Sequence, residues 1–185
     1  FHLLGEKGAV APVGAAVEAE GAPHCRVRVV GDFEQAPGCP DHSVTALSSQ
    51  QIAQICRNEC YNPTDRRKSI DRIEVVRILP QERPGEPVED LVQDPWKTFA
   101  CSGDPAGCMV EFSDDDAARR TREAIYYVRA VEKATPTINA EGLRCELDEK
   151  GACLAVQPCH GDHRTDPKDD CLAPAEQRAW SSPIF

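Results

Sequence analysis

Residues 69–79 read S-I-D-R-I-E-V-V-R-I-L, and this stretch decides the fold class. Its β-branched residues Ile70, Ile73, Val75, Val76 and Ile78 put apolar side chains on both faces of an extended chain. That is the pattern of a strand covered on both sides, so the stretch is expected to lie centrally in a sheet. Residues 123–131, E-A-I-Y-Y-V-R-A-V, form a second strong strand.

Shorter strands are read on either side. Residues 25–30, C-R-V-R-V-V, alternate Arg with Val as a half-buried strand does, and Gly31-Asp32 ends it. Residues 108–112 make another. Residues 143–147 and 152–156 flank the turn 148–151 and predict a hairpin that sets Cys145 nearly opposite Cys153. A last strand is expected near 180–185, and with the Tyr-Tyr-Val-Arg-Ala run before it the order is reminiscent of fibronectin-type sandwiches. One short helix is predicted over about 49–58, where Ser48 and Gln51 form a capping box ahead of Ile52, Ile55 and Cys56. Residues 35–41 read as loop, and 80–95, with Pro80, Pro84, Pro87 and Pro95, as a long surface loop. The expected fold is mainly β, a disulfide-rich β-sandwich (fibronectin/Ig-like) with one short helix and long loops. Residues 1–23 read as a linker or extended arm, and 24–185 as a disulfide-stapled β-rich C-terminal domain.

Aromatic residues make up only 5% of the chain, against 15 Pro and 12 Gly, so the apolar core is thin and needs help. Ten cysteines supply it. An even count in a chain of 185 residues is what a fully paired framework in an oxidising compartment requires. Each bridge contributes about 2–4 kcal/mol by constraining the unfolded chain. Proximity pairs Cys101 with Cys108, Cys145 with Cys153, and Cys159 with Cys171. Cys25, Cys39, Cys56 and Cys60 are also expected to be bridged, in an order the sequence leaves open. Metal binding by the cysteines is the lesser alternative, because paired C-x2-C knuckles are absent and Cys56-x3-Cys60 is the nearest approach. Trp96 and Trp180 are read as core anchors.

In the acidic loop G-D-H-R-T-D-P-K-D-D-C, Asp162, Asp166, Asp169 and Asp170 are the candidate ligands of a structural calcium ion. The competing reading is a solvated turn. His160 and His163 flank the loop without a third ligand, which does not make a catalytic zinc site. Asp114, Asp115 and Asp116 are read as an N-terminal cap. There is no G-x-S-x-G elbow, P-loop, Gly-rich dinucleotide turn or H-E-x-x-H, so no catalytic or cofactor-binding residue is named.

A formal net charge of -10 argues against binding a phosphate backbone, and the run Arg66, Arg67, Lys68 reads as a solvated turn face. No apolar run is long enough for a membrane span, and nothing near Phe1 has the layout of a signal peptide. The start at Phe1 suggests a mature or fragmentary product.

Several strings together carry a family resemblance: C-R-N-E-C-Y-N-P (56–63), R-I-E-V-V-R-I (72–78), D-P-W-K-T-F-A-C (94–101), I-Y-Y-V-R-A-V (125–131), D-D-C-L-A-P (169–174) and R-A-W-S-S-P-I-F (178–185). They resemble the C-terminal region of a large family of bacterial exported proteins of unknown function. That family is related to the polymerase-and-histidinol-phosphatase (PHP) metal-dependent phosphoesterases. The resemblance spans about 24–185. In that family the hydrolase chemistry rests on a barrel whose His and Asp metal ligands, including H-x-H motifs, lie upstream of the matched region. None of those ligands carries over, because His160-Gly161-Asp162-His163 is not an H-x-H.

The resemblance implies a non-catalytic accessory domain of a PHP-like hydrolase, with the catalytic divalent metal in the upstream barrel. It further implies that the barrel or other protein subunits are the partners, and that the location is periplasmic or secreted, at the outer membrane or cell surface. The rival from another class is a structural or interaction β-sandwich subunit of an extracytoplasmic assembly. A small secreted inhibitor or carbohydrate-binding domain is a third, disfavoured by reading both tryptophans as core.

Overall fold

The computed structural model describes residues 2–4, 10–18 and 21–185. Its largest unit is a four-stranded antiparallel sheet in the order β14-β9-β6-β7. The two predicted strong strands, β6 (Ile70–Ile78) and β9 (Ile125–Glu132), lie at its centre, with β7 (Val92–Ala100) and β14 (Arg178–Trp180) at the edges. A second four-stranded sheet, in the order β2-β1-β3-β8, contains β1 (His2–Leu4), β2 (Val10–Pro12), β3 (His24–Val29) and β8 (Cys108–Ser113). The expected arm 1–23 thus contributes two short strands, while residues 1, 5–9, 19 and 20 lie outside the described ones.

The core lies between these sheets. Cys25, Val27 and Phe112 from one meet Ile73, Val75 and Val128 from the other, joined by Ile184. Strand period two explains the selection, since Ile73, Val75 and Arg77 fall on one face of β6. Across the sheet Val75 pairs with Val128 and Arg77 with Tyr126. Trp96 of β7 packs edge-on to Phe112, with ring centroids 6.1 Å apart, and also touches Tyr126.

Smaller elements surround the sandwich. β4 (Phe33–Gln35) pairs with β5 (Pro63–Arg67), and between them run α1 (Asp41–Ala46) and α2 (Ser49–Cys56). The predicted capping box is present: Ser48 Oγ accepts from the Gln51 backbone, and the Gln51 side chain accepts from the Ser48 N–H. After β9, β10 (Thr135–Ile138) pairs with β13 (Leu172–Ala175), and β11 (Cys145–Leu147) with β12 (Cys153–Val156). The short helical turn Ala140–Arg144 leads into β11 with Glu141, Gly142, Leu143 and Arg144 at positive φ.

Four bridges join Cys39 to Cys60, Cys101 to Cys108, Cys145 to Cys153 and Cys159 to Cys171. Full pairing does not hold, because Cys25 and Cys56 carry free thiols. Cys25 is buried in the core, and its register partners in the sheet, Phe112 and Leu3, are not cysteines. Cys56 sits against sulfurs that already bridge each other.

Two further expectations are corrected. The loop 80–95 ends earlier, for β7 begins at Val92 and contains Pro95. The proline is tolerated because β7 is an edge strand and the pairing with β6 slips there, Val75 facing Lys97 but Arg77 facing Gln93. Trp180 is not a core anchor. It lies on the edge strand β14 with 60% of its surface exposed.

Candidate functional site

The inward face of β6 ends in a charge. Arg77 follows Ile73 and Val75 on that face, and it meets Asp114, which comes directly after β8. Arg77 Nη1 donates to both Asp114 carboxylate oxygens at 2.9 Å. Arg120 Nη1 donates to Oδ2, and the Tyr126 hydroxyl donates to the same oxygen at 2.5 Å. The Asp116 N–H adds a bond to Oδ1. The guanidinium of Arg77 stacks 4.3 Å from the Trp96 ring centre, and Lys97 Nζ lies 4.4 Å from the same ring. Asp114 is 1% exposed.

The electrostatics follow from that geometry. Burial pushes the Asp114 carboxyl up, but the hydrogen bonds from Tyr126, Arg120 and Arg77 outweigh it and hold the group at about 2. Burial and then the Asp114 charge push the Tyr126 phenol above its ordinary value. Burial, reinforced by the same charge, pushes the Cys25 thiol up to about 12. Near neutral pH the carboxylate therefore stays ionised while the phenol and thiol stay protonated. A carboxylate saturated by two arginines and a tyrosine has no lone pair directed at a substrate, so this centre acts as a clamp between the sheets.

A cleft of about 750 Å³ adjoins the clamp, lined in part by Val17, Pro23, Arg120, Arg122, Tyr126 and Phe185. Both arginines in it are engaged. Arg120 holds Asp114 and Tyr126, and Arg122 holds Glu82, Glu86 and the Pro80 carbonyl. Among the described residues the buried Arg120 Nε finds no hydrogen-bond partner.

The opposite face of the central sheet has its own ion-pair lattice. Glu74 accepts from Arg72 at 2.7 Å and from Arg129 at 2.5 Å. Arg72 forks onto Glu176, and Arg129 reaches Asp94. These pairs explain how a strand with charges at alternate positions is covered on both sides.

The four carboxylates of the acidic loop do not converge on one point. Asp162 pairs with Arg164, Asp166 accepts from the Lys168 N–H, Asp169 accepts from Arg144 and the Cys171 N–H, and Asp170 accepts from the Leu172 N–H. Among the described residues, the groups of three or more metal-ligating side chains brought together are Cys39, Cys56 and Cys60, and Cys159, Asp169 and Cys171. Only Asp169 of the four carboxylates belongs to either. His160 and His163 are exposed. In the basic run, Arg66 pairs with Glu34, Arg67 stacks on Phe33 and Lys68 pairs with Glu132, so it is engaged rather than a free face.

Asp114 reads from sequence as an N-terminal cap, and its Oδ1 does accept from the Asp116 N–H ahead of the turn 117–119, but the buried pairing with Arg77 is not legible in that reading. One signal was present: a charged Arg77 in phase with Ile73 and Val75 calls for a buried acid. Which acid answers is a matter of tertiary contact.

No helix among the described residues is long and apolar enough to cross a membrane. Comparison with protein-family models, with curated proteins and with solved structures found no match.

Proposed function

We propose that this chain is a non-catalytic accessory domain of an exported PHP-like, metal-dependent hydrolase, working in the periplasm or outside the cell. The observation that carries the reading is the segment 133–177, which contains no buried residue of its own. Two bridges and two short ribbons hold it, and Ile138, Leu143, Leu147, Leu154, Val156 and Leu172 are exposed on it. A covalently stiffened segment with so many apolar side chains in water is built to be covered by other protein. The strings that resemble the exported family favour a barrel upstream of them as that cover. The four bridges suit an oxidising compartment.

The same exposed segment also favours the rival, a structural or interaction subunit covered by a separate polypeptide. Cross-linking of the protein as its own cell produces it separates the two. Cross-links from 133–177 to upstream residues of the same polypeptide support the accessory domain, and cross-links to another chain support the subunit. The isolated 185 residues are expected to hydrolyse no phosphate monoester with manganese or zinc added. Metal-dependent turnover by them contradicts both readings.

A further inference from the structure

Three half-buried sulfurs meet between the β4–β5 ribbon and the end of α2: Cys39, Cys56 and Cys60 all lie within 4.8 Å of one another. Cys39 and Cys60 are bridged, and Cys56 is a free thiol. The backbone presents them together. Arg57 and Asn58 turn the chain sharply after α2, both at positive φ, and the Glu59 N–H donates to the Cys56 carbonyl at 2.8 Å. The Cys60 N–H donates to the Gly38 carbonyl at 3.1 Å, and the Glu59 carboxylate accepts from the Gly38 N–H at 3.0 Å. The turn that carries Cys56 and Cys60 is thereby fastened to the residue preceding Cys39.

A disulfide bond is about 2 Å long, so the free sulfur has only a few ångström to close. We propose that these residues form a thiol–disulfide exchange site in which the bridge migrates among the three sulfurs. The Cys56 thiol loses its proton to solvent and its thiolate attacks one sulfur of the Cys39–Cys60 bridge. A new sulfur–sulfur bond forms to Cys39 or Cys60, the old bond breaks, and the displaced sulfur leaves as a thiolate that takes up a proton. One bond is exchanged for another without net oxidation or reduction, so no external oxidant or reductant is needed. This distinguishes the site from a three-thiolate metal centre, which would first require the bridge to be reduced.

The migration has a structural consequence. Bridged to Cys60, Cys39 ties the segment before α1 to the lead into β5. Bridged to Cys56, it ties that segment to the end of α2 and leaves the stretch around Tyr61, itself 71% exposed, held by hydrogen bonds alone, among them Cys60 N–H to the Gly38 carbonyl and Asn62 N–H to the Gln35 side chain. The inference is independent of the accessory-domain reading.

The test is peptide mapping of bridges by mass spectrometry, without reduction, on the oxidised protein. Native protein is held in mildly alkaline buffer, quenched in acid, and its thiols are labelled with N-ethylmaleimide under denaturing acidic conditions. The expected result is label on Cys39 or Cys60 as well as Cys56, with Cys39–Cys56 or Cys56–Cys60 peptides beside Cys39–Cys60, and the other three bridges unchanged. Cys56→Ser is expected to lose all label on Cys39 and Cys60. Label confined to Cys56 and the buried free thiol Cys25, with only the Cys39–Cys60 bridge found after incubation, overturns the proposal. So does scrambling that reaches Cys101–Cys108 or Cys159–Cys171, because exchange would then come from unfolding. The wild-type map is decisive even if the variant folds poorly.

Discussion

Arg77 Nη1 lies 2.9 Å from both carboxylate oxygens of Asp114, joining the inward face of one sheet to the end of a strand in the other. The pair is buried, with side-chain exposures of 7% and 1%. Removing one partner leaves the other charge in a dry site. Asp114→Asn is expected to cost about 3–5 kcal/mol in urea unfolding. Tyr126→Phe removes the hydrogen bond donated to Asp114 and the one accepted from Arg120, and is expected to cost about 1.5–3 kcal/mol. If Asp114→Asn unfolds at the same urea concentration as the wild type, the clamp does not hold the sheets.

Acid stability should report the same carboxylate. Asp114 is held at about 2 against an ordinary 3.8, so its contribution is complete above 3.8 and is lost as pH falls toward 2. Glu176, held at about 2 chiefly by Arg72 against an ordinary 4.5, acts in the same direction. Stability is therefore expected to be flat down to about pH 4.5 and to fall below it. Asp114→Asn should flatten part of that fall, and an unchanged acid slope in the variant would refute the assignment.

The bridges should differ in what they hold. Cys101–Cys108 joins the end of β7 to the start of β8 and so links the two sheets. Replacing both cysteines with serine is expected to cost about 2–4 kcal/mol of global stability. Cys145–Cys153 lies in the segment without buried residues. Its removal is expected to speed amide exchange in β11 and β12 and to leave the melting temperature of the sandwich nearly unchanged.

Gly31 marks a close backbone approach. A Cβ there would sit 2.0 Å from the Lys68 carbonyl oxygen and 2.9 Å from its carbon, neither of which is a flexible side-chain end. Gly31→Ala is expected to destabilise by about 1–3 kcal/mol through overpacking. Gly161, with nothing within 4 Å of such a Cβ, is the control, and Gly161→Ala should leave thermal unfolding unmoved.

Local pattern determined the central strands of this protein, its hairpin at 145–156 and the start of one helix. The β-branched runs specify β6 and β9, because such residues are favoured in strands and their spacing covers both faces. Ser48 and Gln51 specify the start of α2, since their hydrogen bonds are made within one turn. Cys145 and Cys153 could be paired because a hairpin turn sets them opposite each other. Tertiary structure alone decided the rest. Pro95 hides β7, because a proline is admitted to a strand only by the slipped pairing with β6, which involves residues about twenty positions away. Asp114 reads as an N-terminal cap until Arg77 and Arg120 converge on it. Cys25 reads as half of a bridge until the register of β3 and β8 sets Phe112, not a sulfur, across from it. In each case a deciding partner, Val75 and Arg77 for Pro95, Arg77 for Asp114 and Phe112 for Cys25, lies on another strand and is placed by strand pairing.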